Sequence, residues 1–357
     1  MNYLAEHPLV LDDLQRLANA DLPWDLLAGK SLLVSGGAGF LGSYLVRALL
    51  LANRRHALGL RLLCLVRQCA RAQQRLHAWL DDPALTLFEH DLQHPLTHDL
   101  PVADWIIHGA SQASPKFYGS DPVGTLLANT SGTHHLLQHA QRSQSQRFLF
   151  FSSGEVYGQP AQAQQPIGET DYGYLDPMQV RSCYAESKRL GETLCVAWAH
   201  QYGLHTSVVR PFHTYGPGMA LDDGRVFADF VADVVAARDI VLHSDGLAQR
   251  PFCYVADATL GFLTVLFKGA AAQAYNVANP AAEVSMRALA QTLAGMFPER
   301  GVGVRFGHAD GQAATPTSYL PSPVQRACPS IDKIARLGWQ PSVDIVTGFR
   351  RTIQTYL

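Results

Sequence analysis

Tyr184 and Lys188 stand four residues apart in Tyr184-Ala185-Glu186-Ser187-Lys188. Residues at i and i+4 share one face of a helix. A lysine ammonium beside a phenol stabilises the phenolate, and the pair is expected to draw the phenol down from its usual value of about 10. Such a tyrosine takes a proton from a hydroxyl as hydride leaves the same carbon. Upstream, Ser152-Ser153-Gly154-Glu155 closes an apolar run. There Ser153 is placed to complete a hydrogen-bond path to that hydroxyl. A surface Tyr–Lys pair and a strand-capping serine are the bland alternatives, and the pattern needs a second motif to outweigh them.

Val34-Ser35-Gly36-Gly37-Ala38-Gly39-Phe40-Leu41-Gly42 supplies it. The run fits Gly37-x-Gly39-x-x-Gly42 and also Gly36-x-x-Gly39-x-x-Gly42. Glycine permits a tight strand-to-helix turn and lets a pyrophosphate approach backbone amides at a helix N-terminus. The turn follows an apolar strand and opens a helix, which is the context that makes it dinucleotide-binding rather than an ordinary turn. An acidic residue normally ends the second strand of such a unit and holds the adenosine ribose. Here Arg67 takes that place, with Arg71 nearby. Arginine there suits a 2′-phosphate, hence NADP, or stacks on adenine and leaves NAD bound.

These residues need a scaffold, and the sequence has one. Strands are predicted at Ser31–Ser35, Arg61–Val66, Leu85–Phe88, Trp105–His108, Arg147–Phe151 and Thr206–Arg210. Helices are predicted over Phe40–Leu51, Leu126–Ala140 and Tyr184–Tyr202. The alternation predicts an α/β fold, a Rossmann-type doubly wound parallel sheet with a smaller C-terminal substrate lobe. The expected division is a helical N-terminal extension over 1–28, a dinucleotide-binding domain over 29–210, and a mainly substrate-binding lobe over 211–357 with segments returning to the first. Irregular stretches near 243–256 and 301–330 are expected to cover the strand ends, where ligands of open α/β sheets bind.

Composition narrows the classes. The 357 residues are 47% hydrophobic and 16% charged, enough apolar content for a sizeable core. A net charge of −2 argues against a general nucleic-acid binder. Six cysteines without CxxC spacing suit reduced thiols, and no metal is expected. No apolar run reaches the roughly 18 residues of a membrane span, and no signal-peptide layout opens the chain. The expectation is a soluble, cytoplasmic protein with no membrane partner.

From about Lys30 onward the chain resembles the extended short-chain dehydrogenase/reductase (NAD-dependent epimerase/dehydratase) family. Within it, the UDP-glucuronate decarboxylases (UDP-xylose synthases) are most similar. Several segments carry this. Ala110-Ser111-Gln112-Ala113-Ser114-Pro115-Lys116-Phe117-Tyr118 resembles their ASPASPxxY stretch, and Asn129–Thr133 their NTxGT. Ser153–Gly158 resembles TSEVYG, and Arg181–Arg189 resembles RSCYDEGKR. Asp223–Val226 resembles NDGRV, and Arg250–Val255 resembles RxFxYV. The resemblance implies NAD as cofactor and a nucleotide sugar as substrate. It implies a homodimer formed through the helices after Asp121 and Tyr184, and a place in polysaccharide biosynthesis. By position it implies catalytic roles for Tyr184, Lys188, Ser153, Glu155 and Arg250. Gly36, Gly37, Gly39, Phe40, Leu41, Gly42, Arg67, Asp91, Leu92, Ala110 and Ser111 would hold the cofactor, with Asp91 at adenine. Ser114, Lys116, Tyr118, His213, Arg225 and Arg250 would hold the substrate. Arginines suit its anionic groups, since guanidinium pairs bidentately with phosphate and carboxylate.

The chain departs from the pattern at three sites besides Arg67. Gly154 stands where these decarboxylases have serine and nucleotide-sugar 4,6-dehydratases have the aspartate that protonates the leaving hydroxyl. His213 replaces an asparagine in Phe212-His213-Thr214-Tyr215-Gly216-Pro217. Lys116 brings a cation into the sugar-binding stretch. Glycine donates no proton, so 4,6-dehydration is disfavoured. Glu155 argues against a simple 4-epimerase, and the Tyr184, Lys188 and Ser153 set argues against a non-catalytic dinucleotide sensor. Transient C4 oxidation followed by decarboxylation of UDP-glucuronate to a UDP-pentose is the expected reaction, with epimerase and dehydratase as alternatives.

Overall fold

A computed structural model describes residues 7–97, 100–160, 166–307 and 324–357. Of the irregular stretch 301–330, residues 308–323 lie outside the described residues. β1 (Ser31–Ser35), β2 (Arg61–Val66), β3 (Leu85–Glu89), β4 (Trp105–His108), β5 (Arg147–Phe151) and β6 (Thr206–Pro211) match the predicted strands to within one residue at each end. Short strands follow: β7 (Thr214–Tyr215), β8 (Ile240–Leu242), β9 (Gln249–Pro251) and β10 (Cys253–Tyr254). β11 (Gln273–Val277) then rejoins the main sheet beside β6. β12 (Glu283–Ser285) and β13 (Val304–Phe306) pair with β9 and β8, and β10 pairs with β7.

The main sheet runs β3-β2-β1-β4-β5-β6-β11, and its pairings are parallel. Strand order reverses between β1 and β4, which opens a crevice above their carboxyl ends. Both faces are covered because side chains alternate along each strand. In β1, Leu32 and Val34 enter one core with Val46 and Leu49 of α2 (Phe40–His56). Leu33 points the other way, into a core with Ile106, Leu136 and Phe148. Each such side chain contributes about 1.5–3 kcal/mol on burial, so both faces are firmly specified.

α1 (Pro8–Ala18) packs on α2, burying Val10, Leu14 and Leu17. Its Asp13 accepts hydrogen bonds from Tyr44 and Tyr254 at 2.6 Å each, and from Arg351 of α12 (Ile345–Gln354) at 2.9 Å. Between these ends lie α3 (Cys69–Arg75), α4 (Lys116–Ser120), α5 (Pro122–Asn129), α6 (Ser131–Arg142), α7 (Ser182–Tyr202), α8 (Val226–Val235), α9 (Val255–Lys268), α10 (Met286–Met296) and α11 (Asp332–Ala335).

One predicted helix differs. The run Leu126–Ala140 is divided between α5 and α6 at Thr130, whose φ of −103° and ψ of −69° leave the ideal helical values. Thr130 Oγ1 donates back to the Leu126 carbonyl at 2.8 Å, and Asn129 Nδ2 reaches across to Ser187 Oγ on α7 at 3.0 Å. Side-chain hydrogen bonds of this kind compete with the helix ladder and bend it. Apolar spacing alone does not register them. No helix among the described residues is long and apolar enough to cross a membrane.

Candidate active site

A cleft of about 1420 Å³ lies over the strand ends. That exceeds the roughly 300–1,000 Å³ of a single small-molecule pocket, leaving room for two ligands side by side.

One half is built on the glycine turn after β1. Gly36 has φ of +76°, and a Cβ there would sit 2.7 Å from the Ala110 amide nitrogen. A Cβ on Gly42 would sit 2.2 Å from the Gly36 carbonyl oxygen, so the helix starts tight against the turn. Gly39 is the N-cap of α2 and offers no side chain to its first-turn amides, which have no partners within the helix. Those bare amides, and the buried Ser111 Oγ that lacks a partner in the cleft wall, fit a pyrophosphate-bearing dinucleotide. Gly36, Gly39, Phe40, Leu41, Gly42, Arg67, Asp91, Leu92, Ala110 and Ser111 all line this half. Gly37 does not. It faces inward, where a Cβ would meet Cys64 Sγ at 2.1 Å, so its smallness serves helix–strand packing rather than ligand contact.

The other half gathers residues from several segments. Tyr184 and Lys188 rise from α7, and Ser153 and Glu155 from the turn after β5. Ser153 is hydrogen-bonded to Tyr184. Tyr118 stacks on the Tyr184 ring, with centroids 5.0 Å apart and planes at 16°. Lys188 Nζ donates to the Phe151 carbonyl at 2.7 Å and lies 5.8 Å from the Tyr184 ring centre.

The electrostatics correct one expectation. Tyr184 is not drawn down by Lys188. Burial pushes it up to about 12, with Ser153 and Arg225 pulling the other way. Burial likewise pushes Lys188 down to about 7, against Glu192. Low-dielectric surroundings disfavour both charged forms, and desolvation is the largest cause of each shift. The linkage for Lys188 follows. Above its ordinary value of 10.5 the side chain is neutral folded or unfolded, and folding bears no charge cost. The cost grows as pH falls to about 7 and is complete below it. Lys188→Met therefore raises the unfolding free energy at pH 7, by about 1 kcal/mol, and with it the melting midpoint. Its advantage over the wild type shrinks towards pH 10. Melting curves at both pH values measure this, and a variant less stable at pH 7 contradicts it.

The predicted substrate residues divide. Arg225 and Arg250 line the cleft, as do Ser114, Tyr118 and His213. Arg225 is held by Asp223 at 3.0 Å and the Ala113 carbonyl at 3.1 Å. Arg250 donates to the carbonyls of Gln249, Gln325 and Val324 at 2.7, 2.9 and 2.7 Å, so backbone contacts fix its direction. His213 lies between these arginines, and burial and then their charges keep its imidazole well below the usual histidine range. Lys116 is not part of the cleft wall. Its ammonium turns to Asp222, 3.7 Å from the carboxylate and 3.2 Å from the carbonyl, because that acid competes for it.

Two features escaped the sequence reading. Arg181 clasps Glu155 with two hydrogen bonds, at 2.9 and 3.3 Å, and lies 6.0 Å from the Tyr118 ring centre. A separation of 26 positions along the chain hides this pairing. Beneath the site, Glu192 accepts from Ser152 Oγ at 2.5 Å and from Arg210 at 2.8 and 2.6 Å. Glu192 is one turn beyond Lys188, and that i+4 spacing was the available signal.

Comparison with known proteins places the chain in a family. Residues 32–278 match the NAD dependent epimerase/dehydratase family model. UDP-glucuronic acid decarboxylase 3 of Arabidopsis thaliana is 34% identical over 318 residues, covering 89% of this chain and 86% of that one. UDP-glucuronic acid decarboxylase 1 of Xenopus tropicalis is 32% identical over 331 residues, covering 92% and 72%. Among crystal structures, a dTDP-glucose 4,6-dehydratase from Streptomyces venezuelae with NAD bound aligns with TM-score 0.75 at 26% identity, over 91% of this chain and 96% of that one. A UDP-glucuronic acid 4-epimerase from Bacillus cereus in complex with UDP-glucuronic acid and NAD aligns with TM-score 0.75 at 19% identity, over 91% and 98%, and supports the fold. The chain belongs to the NAD dependent epimerase/dehydratase family.

Proposed function

We propose that the protein removes the carboxyl group of a nucleotide-linked glucuronic acid, most simply UDP-glucuronate, after transient oxidation at C4. The observation that carries this over dehydration is the surroundings of Gly154. A Cβ at that residue would lie 2.8 Å from the Phe212 ring. Any side chain at this position, an aspartate included, would need the ring to move, so no acid can stand here as the chain is packed.

A nicotinamide dinucleotide, held by the turn Gly36–Gly42 with Ala110 and Ser111, would supply a hydride acceptor at C4 and return the hydride at the end. The chain's residues handle the protons. Tyr184 Oη gives up its own proton to solvent as the substrate seats and then takes the 4-hydroxyl proton, with Ser153 holding both oxygens in line. Lys188, poised near neutrality, compensates the charge that develops on the phenol. The 4-keto sugar then has its carboxylate β to a ketone. Loss of CO2 leaves an enolate, whose charge Arg250 and Ser153 stabilise. Glu155, aimed by Arg181, directs the proton that returns to C5. Arg225 and His213 hold the diphosphate. A 4-epimerase shares the first step, but leaves the Arg181–Glu155 clasp without a task.

The six cysteines are free thiols, which supports a reducing, cytoplasmic setting. Exposed Val123 and Leu127 on α5, with Leu190 and Val196 on α7, support pairing of two copies through these helices.

Proton NMR of the purified protein with cofactor and, separately, UDP-glucuronate, UDP-glucose and dTDP-glucose tests the reading. Pentose or 4-keto-pentose signals from UDP-glucuronate are expected. A C4 epimer or a 6-deoxy-4-keto sugar without pentose would transfer the function to a rival.

A further inference from the structure

The adenosine end of the cleft presents donors where hydroxyl groups need an acceptor. β2 ends at Val66, and the next residue, Arg67, lines the cleft with Arg71 and Arg75 of α3. A side chain in this position of a dinucleotide-binding sheet reads the adenosine ribose. A carboxylate there accepts both ribose O–H groups. An arginine has five N–H donors and no acceptor, so it cannot replace the carboxylate, whereas phosphate oxygens suit its planar fork.

The carboxylates nearby are already engaged. Glu89, in register with Val66, accepts the Cys69 amide at 2.6 Å. Asp121 accepts from the Gly124 amide at 3.0 Å and from Gln112 Nε2 at 2.8 Å. Asp91, which does line the cleft, accepts from the Gln93 amide at 3.0 Å through one of its two oxygens. Neither Glu89 nor Asp121 lines the cleft. Arg75 is tied to the Gly218 carbonyl, and burial lowers its pKa. Arg67 and Arg71 are exposed and make no ion pair among the described residues. Two guanidinium groups thus line the ribose end without a hydrogen bond to a carboxylate among the described residues, although the Arg67 charge helps to lower the Asp121 pKa behind Gln112 and the Gly124 amide.

We infer that this site takes the 2′-phosphorylated dinucleotide, NADP, in preference to NAD. The inference rests on the dinucleotide reading above and departs from the NAD found in the crystallised relatives. Its chemistry is local. A 2′-phosphate brings a dianion and three acceptor oxygens to Arg67 and Arg71, where NAD brings only hydroxyl groups.

The test is calorimetric titration of the purified protein, stripped of nucleotide, with NAD and NADP, and with the fragments 2′-AMP and 5′-AMP. NADP is expected to bind at least about tenfold more tightly than NAD, the step one charge-assisted pair provides. The preference should weaken with added salt, and 2′-AMP should bind more tightly than 5′-AMP. Arg67→Asp should reverse the order. That residue is exposed, and circular dichroism checks that the variant folds. Equal affinities, or tighter NAD, would overturn the inference and mean that Arg67 stacks on adenine. Binding of neither dinucleotide would overturn the dinucleotide reading itself.

Discussion

Tyr184→Phe lowers kcat by about 10³-fold or more while the dinucleotide affinity stays within about twofold of the wild type. The substitution removes one oxygen and keeps the ring, so the stack on Tyr118 survives. Tyr118 cannot take over, because its hydroxyl donates to the Ala113 carbonyl at 3.1 Å. Burial also keeps the Tyr118 phenol well above its ordinary range, with the Tyr184 charge next in effect. Steady-state rates give kcat, and quenching of tryptophan fluorescence by the cofactor gives the affinity. Turnover within tenfold of the wild type would remove Tyr184 from the chemistry. Lost cofactor binding would give the phenol a binding role instead.

Arg210→Met destabilises the protein by about 3–5 kcal/mol, the usual cost of orphaning a buried charge. Arg210 is 1% exposed and pairs with Glu192 through two nitrogens. It also donates at 2.8 Å to Tyr157 Oη, Tyr172 Oη and the Glu169 carbonyl. Burial works against its charge, but Glu192 more than offsets this and holds its pKa above the ordinary value. Removing the guanidinium leaves the Glu192 carboxylate facing only Ser152 and the Lys188 charge. Urea denaturation should show a lower midpoint with an unchanged slope. The double variant Arg210→Met, Glu192→Leu should recover most of the loss, since the pair then leaves no orphan. Purely additive effects would show that the two groups do not act together.

How much of this could be read beforehand depends on the range over which each feature is determined. The strands β1 to β6 were legible because apolar, β-branched runs between turn residues are local facts. So were the glycine turn and the Tyr184–Lys188 spacing, each lying within a few residues. Gly37 was misread because its neighbour, Cys64 of β2, belongs to another strand. The Tyr184 and Lys188 pKa shifts were misread because spacing reports adjacency and says nothing of burial. The turn of Lys116 towards Asp222 and the Arg181–Glu155 clasp depend on chain crossings that no spacing encodes. β11 was missed as a strand because Gln273–Val277 alternates weakly and is completed by its pairing with β6.

The seat of α1 bears on how the chain can be made. Asp13 and Arg351 are 338 residues apart in sequence yet 2.9 Å apart in space. At about 5–20 residues per second, a ribosome delivers the second partner roughly 17–68 s after the first. Through that interval Asp13 has the charge of Arg16 nearby but lacks Arg351, and Tyr254, its other distant partner, also comes late. The first helix can lie on α2 early, but its buried carboxylate meets Arg351 only after those 338 residues have been added. Assembly of this region therefore waits on the return of a distant part of the chain, and until then the nascent chain meets chaperones and proteases with that joint still open.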